Sequence, residues 1–186
     1  MPAATLSREE VAQRLLAEFR RSGYQGASLA SLSEATGLGK SSLYHYFPEG
    51  KVDMARAAME VVGGWMRETV LPNLSKDGPP EKRLKKYCAA LSEFYEKGAL
   101  PCLTELFSIG EAAEYFQQML RQSMGNTIKL LSAVMEEDGI DAAEAARRAE
   151  DAMVMVQGAL IVSRTLGSNA PFARTLRKLP EILLAR

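Results

Sequence analysis

The sequence predicts an all-α protein of about nine helices, and three observations carry that prediction. Apolar residues recur at three- and four-residue spacing along most of the chain. Capping pairs and Gly or Pro breaks punctuate that spacing. Alternating runs of the kind that a half-buried strand needs are nearly absent.

The elements follow in order. Ser7 and Glu10 have the capping-box spacing, with Leu6 and Val11 placed to staple the helix start. Val11, Leu15 and Phe19 then share a face, and Gly23 stands where a left-handed cap would end the run. Ser28 can cap a second helix with Leu29, Leu32 and Ala35 inward, stopped by Gly37. A third short helix, Lys40 to Phe47, turns Leu43 and Phe47 to the core, and Pro48-Glu49-Gly50 breaks the chain. A long fourth helix starts near Lys51 and carries Val52, Met59, Val62, Met66 and Val70 before Pro72 stops it. Gly63-Gly64 marks a place for it to bend.

Beyond the polar break at Ser75 to Pro80, Leu84, Tyr87, Cys88, Leu91, Phe94 and Tyr95 have helical spacing as far as Gly98. Leu100 to Ile109 predicts a short helix with Pro101 near its first position. Ser108 and Glu111 suggest a capping box for a long helix to Glu137, and Asp141 and Glu144 another for a helix to Leu166. Asn169-Ala170-Pro171 opens the last helix, with Phe172, Leu176, Leu179 and Leu183 inward and Pro180 a point of interruption.

Composition narrows the function classes. An apolar fraction of 47% supports a sizeable core. The 23 basic and 23 acidic side chains cancel, so net charge offers no hint of a polyanionic partner. No charged-then-apolar leader opens the chain, and Ala152 to Ser163 is too short to span a bilayer; a cytoplasmic protein without membrane partners is expected. Cys88 and Cys102 make no disulfide framework. The lone His45 forms no recognisable metal set with them. With no phosphate-cradling loop and no nucleophile–base set in view, neither an enzyme nor a cofactor is expected. The Lys82-Arg83-Lys85-Lys86 run suits a solvated helix face.

Ser28 to Phe47 holds the functional signal. Two short helices joined by a turn at Gly37 cross steeply, so the second can enter a major groove. Packing by Leu32, Leu38, Leu43 and Phe47 leaves Lys40, Ser41, Ser42, Tyr44, His45 and Tyr46 exposed, all able to reach phosphates or base edges. The same helical pattern also suits a head that only packs, within a helical carrier or enzyme.

The stretch Ser28-Leu29-Ala30-Ser31-Leu32-Ser33-Glu34-Ala35-Thr36-Gly37-Leu38-Gly39-Lys40-Ser41-Ser42-Leu43-Tyr44-His45-Tyr46-Phe47, with Lys51 behind it, resembles the DNA-binding head of the TetR family of repressors. Pro101-Cys102-Leu103 and the segment from Pro171-Phe172 to Leu184 resemble its LmrA/YxaF-like branch. The resemblance implies a head over residues 1–50, and a ligand-binding and dimerising body over 51–186 joined to it by the fourth helix. It also implies contact with a double-stranded DNA operator through Ser28, Lys40, Ser41, Ser42, Tyr44, His45, Tyr46 and Lys51, with Lys51 holding a phosphate. Two departures stand out: Gly39 replaces the usual Ser or Thr cap, and the Pro48-Glu49-Gly50 link is one residue longer than the common form.

The family pattern further implies a homodimer through the last two helices. Val156, Ala159, Leu160, Ser163, Phe172, Leu176 and Leu183 are the candidate interface; closing the monomer's own core is the alternative role for them. A small apolar or aromatic effector is implied in the body. Met59, Trp65, Met66, Phe94, Phe107, Phe116, Met119 and Met135 are candidate lining, although such residues also serve as plain core.

Overall fold

The computed structural model describes residues 6–75 and 77–185, and all regular structure among them is helical. The helices are α1 (Arg8–Gly26), α2 (Leu29–Thr36), α3 (Lys40–Tyr46), α4 (Lys51–Trp65), α5 (Pro72–Ser75), α6 (Pro80–Phe94), α7 (Leu103–Phe107), α8 (Gly110–Glu137), α9 (Ala142–Leu166) and α10 (Ala170–Leu183). A π-helical stretch, Met66–Val70, joins α4 to the single turn of α5, so the fourth run does not stop at Pro72. Proline costs nothing at a first turn, where its missing N–H has no partner to lose. The predicted irregularity at Gly63-Gly64 appears just beyond them, where the Leu71 N–H bonds the Met66 carbonyl at 2.9 Å.

By packing, the chain forms two units: residues up to Gly64 with Leu103–Gln118, and Trp65–Cys102 with residues from Met119 onward. In the first unit α1 packs on α2 and α7, and α2 on α3. Val11, Leu15, Phe19, Leu32, Leu43, Phe47 and Met54 are fully buried there. The Ser7–Glu10 capping box forms in both directions. Gly23 has the expected positive φ of 66°, but its ψ of 177° lets one further helical turn follow instead of ending α1. Ala35 is exposed, and Thr36 takes the inward place, donating from Oγ1 to the Leu32 carbonyl at 2.8 Å.

Phe107 and Phe116 belong to this unit's core. Phe107 meets Phe19 edge-on at 5.7 Å and Tyr24 at 5.9 Å, and Phe116 meets Tyr24 at 5.7 Å. Phe107 and Phe116, both candidate pocket lining, are buried in this ring cluster.

In the second unit α10 packs on α9 and α6, and α5 on α6. Val156, Leu160, Ser163, Phe172, Leu176 and Leu183 are buried where these helices meet, with Ala159 at 8% exposure. The Ser163 hydroxyl accepts the Phe172 N–H at 3.0 Å. These seven residues are covered within the chain itself. The apolar surface that α9 and α10 do expose is Val154, Ile161, Val162, Leu166 and Ile182. α10 runs through Pro180 without interruption.

Three further local expectations are corrected. Ser108 donates to the Glu105 carbonyl and does not cap α8, which starts at Gly110 with φ +59°. Pro101 precedes α7 by two residues. Arg83 is buried, its guanidinium held by the Leu74 carbonyl and the Glu137 carboxylate, while Lys82, Lys85 and Lys86 are exposed as expected. Met135, Phe94 and Met59 are buried, Met119 is half-buried, and Trp65 stacks on Phe94 at 4.7 Å beside half-exposed Met66. A groove in the second unit is lined by Leu74, Ser75, Asp77, Arg83, Leu130 and Glu137, and it includes none of the predicted pocket residues.

Candidate nucleic-acid interface

The α2–α3 pair is built around Gly37, whose φ of 72° and ψ of 14° place it in the left-handed region. Its N–H bonds the carbonyls of Ser33 and Glu34 at 3.0 and 3.2 Å, ending α2. A non-glycine residue pays to adopt that conformation, which explains the residue type at the turn. The turn is laced from both sides. Ser33 Oγ donates to the Leu38 carbonyl at 2.5 Å, and the Leu38 N–H donates to Thr36 Oγ1 at 3.3 Å. From α1, the Arg14 guanidinium donates to the Thr36 carbonyl at 2.8 Å. The sequence reading missed this role for Arg14; its place one turn from Val11, on the edge of the buried face, was the available signal.

α2 is capped reciprocally by Ser28 and Ser31, each side chain taking the other's backbone N–H at 3.0 Å. Ser28 is exposed, but its hydroxyl is already spent on holding the helix start. Gly39 supplies no side-chain cap to α3, as the missing Ser or Thr implies, and the helix begins on the Leu43 N–H to Gly39 carbonyl bond of 3.0 Å.

Leu43 and Phe47 are buried, so α3 is pinned by one side and the other faces solvent. Lys40, Ser41, Ser42, Tyr44 and His45 are exposed together on that side. Tyr46 departs from the set. It is half-buried, and its hydroxyl donates to the Leu6 carbonyl at 2.5 Å, tying α3 to the approach to α1. The Tyr44 ring lies over Gly50, where an added Cβ would approach Cε1 to 3.2 Å. With φ +71°, Gly50 lets the chain turn into α4 beneath that ring.

Lys51 starts α4 as predicted, but its ammonium turns inward. It lies 3.5 Å from the Gln25 carbonyl and 4.5 Å from the Tyr24 ring centre. Burial pulls the Lys51 amine below the usual lysine range, while the nearby Glu111 carboxylate favours its charged form. The head's arginines are also engaged internally: Arg8 with Asp53, Arg21 with Glu18, and Arg56 with Glu49. Burial pushes the Glu18 carboxyl up, but hydrogen bonds from Arg21, Ser31 and Ser22 more than reverse it. A surface with few spare cations and many hydroxyls binds a polyanion mainly by shape and hydrogen bonds.

Elsewhere the chemistry is sparse. Among the described residues no group of His, Cys, Asp and Glu could hold a metal, and no helix is long and apolar enough to cross a membrane. Both cysteines are buried and free, and burial pushes the Cys88 thiol up to about 12. Cys102 Sγ accepts from the Tyr95 hydroxyl at 3.3 Å and from Gln157 Nε2 at 3.4 Å.

Comparison with known proteins supplies the remaining evidence. Residues 11–58 match the model of bacterial regulatory proteins of the tetR family, and residues 80–178 match that of the transcriptional regulator LmrA/YxaF-like C-terminal domain. The HTH-type transcriptional regulator LmrA of Bacillus subtilis (strain 168) is 24% identical over 190 residues, covering 95% of this chain and 96% of the relative. Among solved structures, a TetR transcriptional regulator from Legionella pneumophila superposes with a TM-score of 0.82 at 19% identity, over 97% of this chain and 98% of that one. The TetR family regulator CifR, solved with a 26bp double-strand operator DNA, gives 0.75 at 20% identity over 100% and 99%. The chain belongs to the TetR family of bacterial transcriptional regulators, DNA-binding proteins and not enzymes, with a body of the LmrA/YxaF-like kind.

Proposed function

We propose that this chain is a ligand-responsive repressor that binds a palindromic operator as a homodimer and leaves it when a small apolar or aromatic effector binds. Residues 1–50 read the DNA, and residues 51–186 carry effector binding and dimerisation, in the cytoplasm where the operator lies. The observation that carries the DNA half is α3 itself. Leu43 and Phe47 anchor one side, leaving Lys40, Ser41, Ser42, Tyr44 and His45 on a helix short enough to lie in a major groove. Lys40 and the two serines reach bases, while Tyr44 and His45 reach phosphates. Ser28 and Tyr46 act indirectly, by capping α2 and by holding α3 to the start of α1.

One head covers half a site, so useful affinity calls for two heads on matched half-sites. The exposed Val154, Ile161, Val162, Leu166 and Ile182 give α9 and α10 the apolar surface that such pairing needs. Trp65, Met66 and Phe94 are the predicted effector residues with the best support, since Trp65 and Met66 keep accessible surface beside the Phe94 ring. Footprinting of the promoter beside the gene tests the reading. Protection of a two-fold symmetric site, relieved by an effector from a small-molecule panel, is the expected result; absence of any salt-sensitive protection overturns it.

A further inference from the structure

Gly50 is buried, although Pro48 and Glu49 before it are exposed. The three atoms nearest to a Cβ added there all belong to Tyr44: Cε1 at 3.2 Å, the hydroxyl oxygen at 3.7 Å and Cζ at 3.8 Å. The hydroxyl end of the ring therefore rests on the bare backbone of Gly50. That backbone is itself fixed. The Gly50 N–H donates to the Phe47 carbonyl at 2.9 Å, and the Gly50 carbonyl accepts the Met54 N–H at 3.0 Å in the first turn of α4. Phe47 is fully buried and Glu49 is paired with Arg56 at 3.0 Å, so the link is anchored on both the α3 and the α4 side.

Two separate demands fall on this one residue. Its φ of +71° asks for glycine or for Asn, which also visits the left-handed region. The close approach of the ring asks for no side chain at all. Tyr44 is 45% exposed, so against a Cβ at position 50 the ring, and not the anchored link, is what yields. We infer that Gly50 is a positioning residue for Tyr44: the missing side chain lets the ring settle against the α3–α4 link and so fixes where its hydroxyl meets an operator phosphate. The inference rests on the reading of Tyr44 as a phosphate contact. A tyrosine on an exposed helix face otherwise keeps rotamer freedom that it must surrender on binding. Seated on Gly50, the ring has surrendered that freedom in the folded chain, and its hydroxyl is held beside the start of α4 before DNA arrives.

The test uses the full chain, the footprinted operator and a random-sequence duplex of equal length. Gly50→Ala and Gly50→Asn are compared, each alone and with Tyr44→Ala, and every variant is melted. Gly139→Ala is the control for backbone strain alone, since Gly139 has φ +88° and nothing lies within 4 Å of an added Cβ. Asn tolerates the left-handed region better than Ala, so Gly50→Asn should lose less in the melt. Both should nevertheless weaken both duplexes by about threefold or more, because a phosphate contact carries no sequence information. In the Tyr44→Ala background neither should weaken binding further, while the melting shifts remain. Gly139→Ala should lower the melt and leave affinity unchanged. A loss in proportion to the melting shifts, a loss that survives Tyr44→Ala, a comparable loss from Gly139→Ala, or no loss at all overturns the inference. If Tyr44→Ala itself leaves affinity unchanged, the phosphate reading of Tyr44 falls and the inference with it, while operator binding by the wild-type chain still stands.

Discussion

Arg14 Nη1 lies 2.8 Å from the Thr36 carbonyl, so one side chain of α1 holds the last peptide of α2 just before the Gly37 turn. That bond orients the turn, and through it the exposed face of α3. Arg14→Ala is expected to lose a charge-assisted hydrogen bond worth about 1–2 kcal/mol, lowering the melting temperature by roughly 3–6 °C. Arg14 is spent internally, so the salt slope of DNA binding should stay as in the wild type; a shallower slope would show that Arg14 meets a phosphate instead.

A second prediction concerns Gly98. It has φ +97°, and a Cβ there would come within 2.9 Å of Phe172 Cβ. Its two predecessors, Glu96 and Lys97, already have positive φ, so the segment has no slack to absorb the added atom. Gly98→Ala should cost about 2 kcal/mol or more in denaturant unfolding. A neutral result would mean that α10 can shift away from Gly98 at no cost.

Much of this molecule was visible in its sequence, and the gaps have physical causes. The capping box at Ser7, the turn at Gly37 and the core spacing of Leu43 and Phe47 are local patterns, and each appears as predicted, while at Asp141 only the cap forms and Glu144 turns to Arg148. Burial is not local. The inward face of a helix is visible in its spacing, but spacing does not say whether the neighbour is the same chain or another. Val156, Leu160 and Leu176, candidates for an interface, are covered within the chain, where α9 packs on α10. The ring partners of Phe107 and Phe116, Phe19 and Tyr24, are likewise distant in sequence. Lys51 was placed correctly at the start of α4, but its amine folds back onto the Tyr24 ring and the Gln25 carbonyl, which come from the far end of α1.

Arg83 joins the α5 end to α8 through the Leu74 carbonyl and Glu137, and its bonds hold the Glu137 carboxyl below the usual range. A carboxyl depressed in the folded state adds stability above its unfolded pKa, and that contribution disappears as pH falls through the folded value. Arg83→Met should remove this part of the acid-side loss of stability. It should also destabilise at neutral pH by about 1–3 kcal/mol, because the Leu74 carbonyl loses its donor. Melting curves between pH 3 and 7 check both; an unchanged acid limb would contradict the pairing.

Association and folding should separate by residue. Val162→Glu or Leu166→Glu places a charge on exposed apolar surface, and should weaken dimerisation in sedimentation experiments while leaving helicity intact. Leu160→Glu buries a charge in the core where α9 packs on α10 and should unfold the chain. Dimers that survive Val162→Glu and Leu166→Glu together would place the interface elsewhere.

The central claim is that α3 reads an operator with few cations. Footprinting combined with a salt series tests it most directly. With Lys51 from each of two heads, roughly two phosphates are neutralised by cations, and log K should fall against log salt with a slope of about −2. Protection should cover two symmetric half-sites, and Tyr44→Phe should weaken it without altering the melt. A slope twice as steep, or binding without a symmetric footprint, would contradict the account.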